Sequence, residues 1–100
     1  MFIAMNRFKI LIGKEKEFEN IWKSRDTFLD KVPGFKNFNL IKGKSNEEYT
    51  LYASHSIWDS EESFINWTKS EEFRMAHKNA GNNKDLYLGH PEFEGFNKII

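Results

Sequence analysis

The chain contains no cysteine. That absence excludes a disulfide framework, a thiolate zinc site and a cysteine nucleophile together. Charge of one sign is missing as well, because 15 Lys and Arg are balanced by 15 Asp and Glu. Nucleic-acid recognition needs clustered basic residues facing a line of phosphates, so no nucleic-acid partner is expected. Apolar runs extend over only a few residues, which predicts no membrane span. Met1 to Ile10 lack the apolar stretch and small-residue cleavage site of a secretory leader. The expectation is a cytoplasmic, globular protein whose 100 residues form a single domain. A glycine-rich phosphate loop, a nucleophile elbow, an HExxH pair and a carboxylate pair on an apolar face are all lacking too. No internal repeat, linker or low-complexity segment is visible.

What the chain has in quantity is aromatic rings: 10 Phe, 3 Trp and 3 Tyr. Together they equal all Ile, Leu and Val. Each can bury about 150–250 Å², so they suit a core, an interface or the pocket of a flat ligand, and composition does not choose among these.

Met1 to Ile12 alternates with period two, placing Phe2, Ala4, Phe8 and Ile10 on one face and Arg7 and Lys9 on the other. This is a half-buried strand ended by Gly13. Phe18, Ile21, Trp22, Phe28, Leu29 and Val32 then recur at helical spacing until Pro33-Gly34, which predicts one long amphipathic helix packed on a sheet. Phe35 to Ile41 and Tyr49 to Trp58 read as strands joined by the turn Gly43-Lys44-Ser45-Asn46, hence antiparallel. Asp59 with Glu62 resembles a capping pair opening a helix that carries Phe64 and Trp67. Ser70 before Glu71-Glu72 marks a second start, so the segment to Asn79 is two short helices meeting at a bend. A loop follows at Ala80-Gly81-Asn82-Asn83, and Phe93 to Ile100 is the last strand.

Strand, helix, strand, strand, helix, strand is the order of a ferredoxin-like α+β sandwich, with an antiparallel sheet and helices on one face. The other sheet face then needs a cover. A second copy packing sheet against sheet, giving a homodimeric α/β barrel, is the expected solution.

Three residues break the local pattern. Asn6 places a carboxamide on the apolar face of the first strand, and burying it unpaired would cost about 1–3 kcal/mol. It therefore meets either a cross-strand or backbone partner or a bound ligand. His77 lies with Phe73, Ala76 and Ala80 at i, i+3, i+4 and i+7, an imidazole between small residues. It is either a hydrogen-bonded core histidine or a ligand to iron already held by a porphyrin, since a lone His cannot hold bare zinc. Trp67, ten residues earlier, reads as core packing beside Phe64. Structural hydrogen bonds are the expected roles of His55 and His90. Arg25, between Trp22 and Phe28, either snorkels, meets a ligand carboxylate or forms a helix-face ion pair. Ser54 and Ser56 alternate along a strand with no acidic partner suggested.

Asn6, Trp67 and His77, with the turn Val32-Pro33-Gly34-Phe35, the opening Met1-Phe2-Ile3-Ala4-Met5-Asn6-Arg7-Phe8 and the stretch Phe64-Ile65-Asn66-Trp67-Thr68-Lys69-Ser70, carry a resemblance. The chain resembles the IsdG-type heme-degrading monooxygenases of the antibiotic biosynthesis monooxygenase superfamily over nearly its whole length. The resemblance implies that His77 is the proximal ligand of heme iron, that Asn6 offers an amide N–H to oxygen on that iron, and that Trp67 presses on the porphyrin and ruffles it. It places Arg25 and Trp22 at pocket positions. Heme would be substrate and cofactor at once, with dioxygen as co-substrate and electrons from an external reductant, supplied by a reductase. The porphyrin would open at a meso carbon, releasing iron and a bilin. The segment Leu86 to Phe96 differs from the tail of staphylobilin-forming members and leaves the product open among biliverdin, staphylobilin and mycobilin. A cofactor-free monooxygenase of quinols or polyketides, or a heme-binding dimer without catalysis, are the competing expectations.

Overall fold

In the computed structural model, which describes residues 1–25, 27–77 and 84–100, four antiparallel strands form one sheet in the order β2-β3-β1-β4. Along the chain the elements are β1 (Phe2–Leu11), α1 (Glu15–Ser24), β2 (Phe35–Ser45), β3 (Tyr49–Trp58), α2 (Glu61–Thr68), α3 (Glu71–His77) and β4 (Glu92–Asn97). This is the ferredoxin-like α+β arrangement the pattern predicts.

The period-two reading of β1 holds. Phe2, Ala4, Phe8 and Ile10 are buried, and across the β1–β3 ladder they face Trp58, Ser56, Tyr52 and Thr50. The helices set their buried residues, Phe18, Trp67 and Ala76, against this same face. The packing divides into two clusters. One gathers Phe2, Ala4, Leu29, Trp58, Trp67 and Ala76, and the other gathers Phe8, Ile10, Phe18, Tyr52 and Leu86. Between them on the sheet lies the cross-strand pair of Asn6 and Ser54. On the opposite face Ile3, Met5 and Arg7 stand beside Ile57, His55 and Ala53.

The predicted long helix is shorter than its hydrophobic pattern. α1 stops at Ser24, Arg25 is extended (φ −78, ψ 132), and Phe28 is left-handed (φ 59) at the entrance to a single 3-10 turn, Leu29–Lys31. Ser24 gives the reason: its Oγ donates to the Ile21 carbonyl at 3.1 Å, competing with the helical ladder where weak helix formers follow. Leu29 remains buried, so the spacing foresaw the face but not the break.

The last strand ends at Asn97, short of the expected Ile100, and two further boundaries moved for local reasons. β2 runs to Ser45, through most of the expected turn, because Asn46 Oδ1 accepts from the backbone N–H groups of Glu48 and Tyr49 at 2.8 and 2.9 Å and closes a tighter one. The α2 cap is Ser60, whose Oγ accepts from Ser63 N–H at 3.2 Å, while Asp59 pairs with Lys36 at 3.0 Å. The bend after α2 forms as expected, with Ser70 Oγ accepting from Phe73 N–H at 3.1 Å. Gly34 needs to be glycine: its φ is +84 and a Cβ would collide with Ser63. Ala80 and the loop at 80–83 lie outside the described residues, as does the expected helix end at Asn79.

Candidate ligand cavity

Between the even-numbered sheet face and the helices lies a cavity of about 920 Å³. That is at the large end for small-molecule sites, which run ~300–1,000 Å³. Asn6, Trp22, Arg25, Trp67 and His77 all line it. Five residues spread over seventy positions of chain are thus brought to one space by β1, by the end of α1 and by the α2–α3 bend.

Asn6 stands on the floor. Among the described residues its carboxamide has no hydrogen-bond partner, so the cross-strand or backbone bond considered for it is not made and its capacity is open to the cavity. His77 is the last residue of α3. Its Nδ1 lies 2.8 Å from the Phe73 carbonyl oxygen and its ring stacks on Phe73 with centroids 4.1 Å apart. Because a carbonyl only accepts, Nδ1 carries the proton and, in the neutral ring, Nε2 keeps its lone pair. Trp67 is only 6% exposed, stacked on Trp58 at 6.2 Å and edge-on to Phe73 at 5.3 Å. It is both core and cavity wall.

Trp22 stacks on Phe38 at 5.7 Å, and the Arg25 guanidinium lies 4.5 Å over the Trp22 ring. Among the described residues Arg25 makes no ion pair. Burial pulls the Arg25 pKa down from its ordinary value, opposed by Tyr87, and burial pushes the Tyr87 phenol up, opposed by Arg25. The two therefore sit in one partly desolvated corner. With Arg25 and Lys84 on the lining and no carboxylate among its described residues, the cavity suits an anionic ligand. His90 lies on the lining, whereas His55 faces the other side of the sheet beside Met5.

Sequence reasoning missed several lining residues. Phe38 on β2 and Phe64 on α2 form cavity walls, and Phe93 stacks on Phe64 at 5.4 Å and 8°. Ser54 also lines the cavity, directly across from Asn6. Its signal was strand register: an even-numbered β3 residue meets the even-numbered face of β1. Tyr87 carried no such signal, since its place depends on an isolated bridge to Ile10.

Fold and cavity define a class: a ferredoxin-like α+β domain with an aromatic, cation-rimmed cavity between sheet and helices. The chain belongs to the antibiotic biosynthesis monooxygenase family, whose pattern it matches over residues 1–79. It is 31% identical over 87 residues to a heme oxygenase (staphylobilin-producing) of Staphylococcus epidermidis, covering 85% of this chain and 81% of that protein. In three dimensions it is similar to MhuD, a heme degrader of Mycobacterium tuberculosis with two hemes bound in its active site (TM-score 0.75, 22% identity, 100% of this chain and 97% of that one). It is also similar to SnoaB, a cofactor-independent oxygenase of Streptomyces nogalater (TM-score 0.68, 17% identity, 99% and 94% coverage). These two likenesses concern the fold.

Proposed function

We propose that this protein is a heme-degrading monooxygenase, with heme as its substrate. The observation that carries the reading is the imidazole of His77, which lines a cavity of about 920 Å³ and has its Nδ1–H tied to the Phe73 carbonyl, leaving Nε2 with a lone pair. Metal-ligating histidines are held this way, because the second ring nitrogen fixes tautomer and orientation. A flat, iron-bearing dicarboxylate fits the rest of the lining: aromatic walls, the neutral carboxamide of Asn6 and a cationic rim.

Bound heme supplies the iron at which dioxygen is activated, with electrons from an external reductase. The chain's own residues do the rest. His77 holds the iron side. Asn6 would present a neutral N–H donor that orients electronegative atoms without delivering a proton readily. Trp67, stacked on Trp58, would bear on the porphyrin and distort it. Arg25 meets a carboxylate at the rim, held on Trp22. The result is opening of the porphyrin at a meso carbon and release of iron and a bilin. Residues 1–100 act as one domain in a homodimer, with the face of Ile3, Met5 and Ile57 against its copy, in the reducing setting of the cytoplasm.

Hemin titration of the purified apoprotein tests the reading. A Soret band saturating at one heme per chain, then bleaching with reductant and air in the presence of catalase, is expected. A band that persists under those conditions makes the protein a heme carrier instead. Oxygen uptake on quinols without hemin, unaffected by His77→Ala, would place it with the cofactor-free members of its family.

A further inference from the structure

The sheet floor of the cavity carries one polar row. Reading across the strands, it runs Phe93 on β4, Asn6 on β1, Ser54 on β3 and Leu40 on β2. The rows on either side, Ala4 with Ser56 and Phe8 with Tyr52, belong to or border the two apolar clusters. The two serines of β3 are not alike. Ser56 is engaged, accepting from Trp58 Nε1–H at 2.9 Å and donating to the Ala4 carbonyl at 3.4 Å. Ser54 has no hydrogen-bond partner among the described residues, and it faces the cavity beside Asn6, which has none either.

Directly opposed residues of an antiparallel pair hold their Cβ atoms roughly 4.5–5.5 Å apart, within reach of a hydroxyl-to-carboxamide hydrogen bond. A ligand filling the cavity strips water from both groups, and an unpaired buried hydroxyl costs about 1–3 kcal/mol. Apolar neighbours leave the Asn6 carboxamide as the cross-strand polar partner of Ser54. That bond has two polarities. If Asn6 NH₂ donates to Ser54 Oγ, the cavity is left facing Oδ1, an acceptor. If Ser54 O–H donates to Asn6 Oδ1, the NH₂ group is turned to the ligand.

Building on the heme reading above, we infer that Ser54 is a positioning residue for Asn6: its O–H binds Asn6 Oδ1 in the filled cavity and so presents an N–H donor to the ligand. Ser54 does not itself touch the reacting atoms. Its effect passes through the carboxamide, and a merely structural serine has no such dependence.

The C–O stretching frequency of carbon monoxide bound to the reduced hemin complex tests this, because an N–H donor beside the CO lowers it. Asn6→Ala sets the frequency without the donor. Ser54→Ala is expected to move the frequency toward that value, with hemin affinity changed less than about two-fold. The isosteric pair separates hydroxyl from shape: Ser54→Thr is expected to keep the wild-type frequency and Ser54→Val to lose it, and should Ser54→Ala not fold, this pair alone decides. In the Asn6→Ala background, Ser54→Ala is expected to do nothing further. An unshifted frequency in Ser54→Ala and Ser54→Val, or an equal shift with and without Asn6, overturns the role of Ser54 and leaves the heme reading intact. Failure of the wild-type chain to bind hemin overturns both.

Discussion

His77 Nδ1 lies 2.8 Å from the carbonyl oxygen of Phe73, one helical turn back, and the imidazole stacks on the Phe73 ring. α3 thus orients its own terminal side chain with its backbone and with the ring four residues earlier. His77→Ala should weaken hemin binding by more than the ~10–100-fold that loss of a mere orienting partner costs. Added imidazole should restore the Soret band of His77→Ala by filling the gap. Phe73→Leu removes the stack but keeps the carbonyl, so its Soret maximum should stay at the wild-type wavelength. A His77→Ala protein with wild-type affinity and spectrum would mean that another group holds the iron.

Trp67 serves packing and cavity together, which makes alanine a blunt probe. It is 6% exposed and bears on Trp58 and Phe73, so Trp67→Ala should cost ~3–5 kcal/mol. Thermal unfolding would show that as a fall of well over ten degrees. Trp67→Phe should cost about 1–2 kcal/mol and stay folded at room temperature. In that variant hemin should still bind while bleaching slows. Unchanged bleaching in Trp67→Phe would leave Trp67 as a core residue alone.

Arg25 over Trp22 offers the clearest separation of charge from shape. If its guanidinium meets a ligand carboxylate, Arg25→Ala should weaken hemin by roughly ten-fold, the range of a charge-assisted hydrogen bond. Hemin dimethyl ester, which lacks the anionic groups, should bind wild type and Arg25→Ala alike. Equal losses for both ligands would assign Arg25 to packing on Trp22.

The strands were legible because period two is a local signal: β3 runs from Tyr49 to Trp58 as expected, and the buried face of β1 is the one the alternation names. Helix extent was not. The apolar spacing of Phe18, Trp22 and Leu29 survives a break at Arg25, because a 3-10 turn after left-handed Phe28 buries Leu29 in the cluster beside the one that holds Phe18. Asn6 and His77 stood out as polar residues in apolar patterns, and both line the cavity. Ser54 and Tyr87 did not stand out. A serine in a strand violates no pattern, and the importance of Ser54 comes from the residue across the ladder, a relation of tertiary register.

In the proposed homodimer the odd-numbered sheet face is the interface. Ile3 and Ile57 are cross-strand neighbours there, with Phe96 beside Ile3 on β4. For a chain of 11.9 kDa, sedimentation should give about twice that mass. Ile57→Glu puts a charge on that face and should shift the species to one chain while far-ultraviolet circular dichroism keeps the α+β signal. A wild-type chain sedimenting as a monomer at tens of micromolar would leave the barrel without support.

Acid should loosen the clamp between α1 and β3. Glu19 accepts from the buried Tyr52 hydroxyl, and Glu15 accepts from Thr50 Oγ1 at 2.8 Å. The Glu19 pKa is held below its ordinary 4.5 chiefly by Tyr52, against a desolvation that opposes it. Glu15 is held down by its own backbone N–H first and by Thr50 next. A carboxylate depressed in the folded state stabilises it fully above the unfolded value, and the contribution is lost as pH falls from 4.5 through the folded pKa. The Tyr52 phenol is raised above 10.0, mainly by burial, so its contribution is present below that pH and lost above it. Glu19→Gln removes one titration while keeping an acceptor for Tyr52. Its melting temperature should lie below wild type at neutral pH, and the two should converge as pH drops below 4.5. A constant gap between them from pH 7 to pH 3 would show that the Glu19 carboxylate is not held down by Tyr52 in the folded chain.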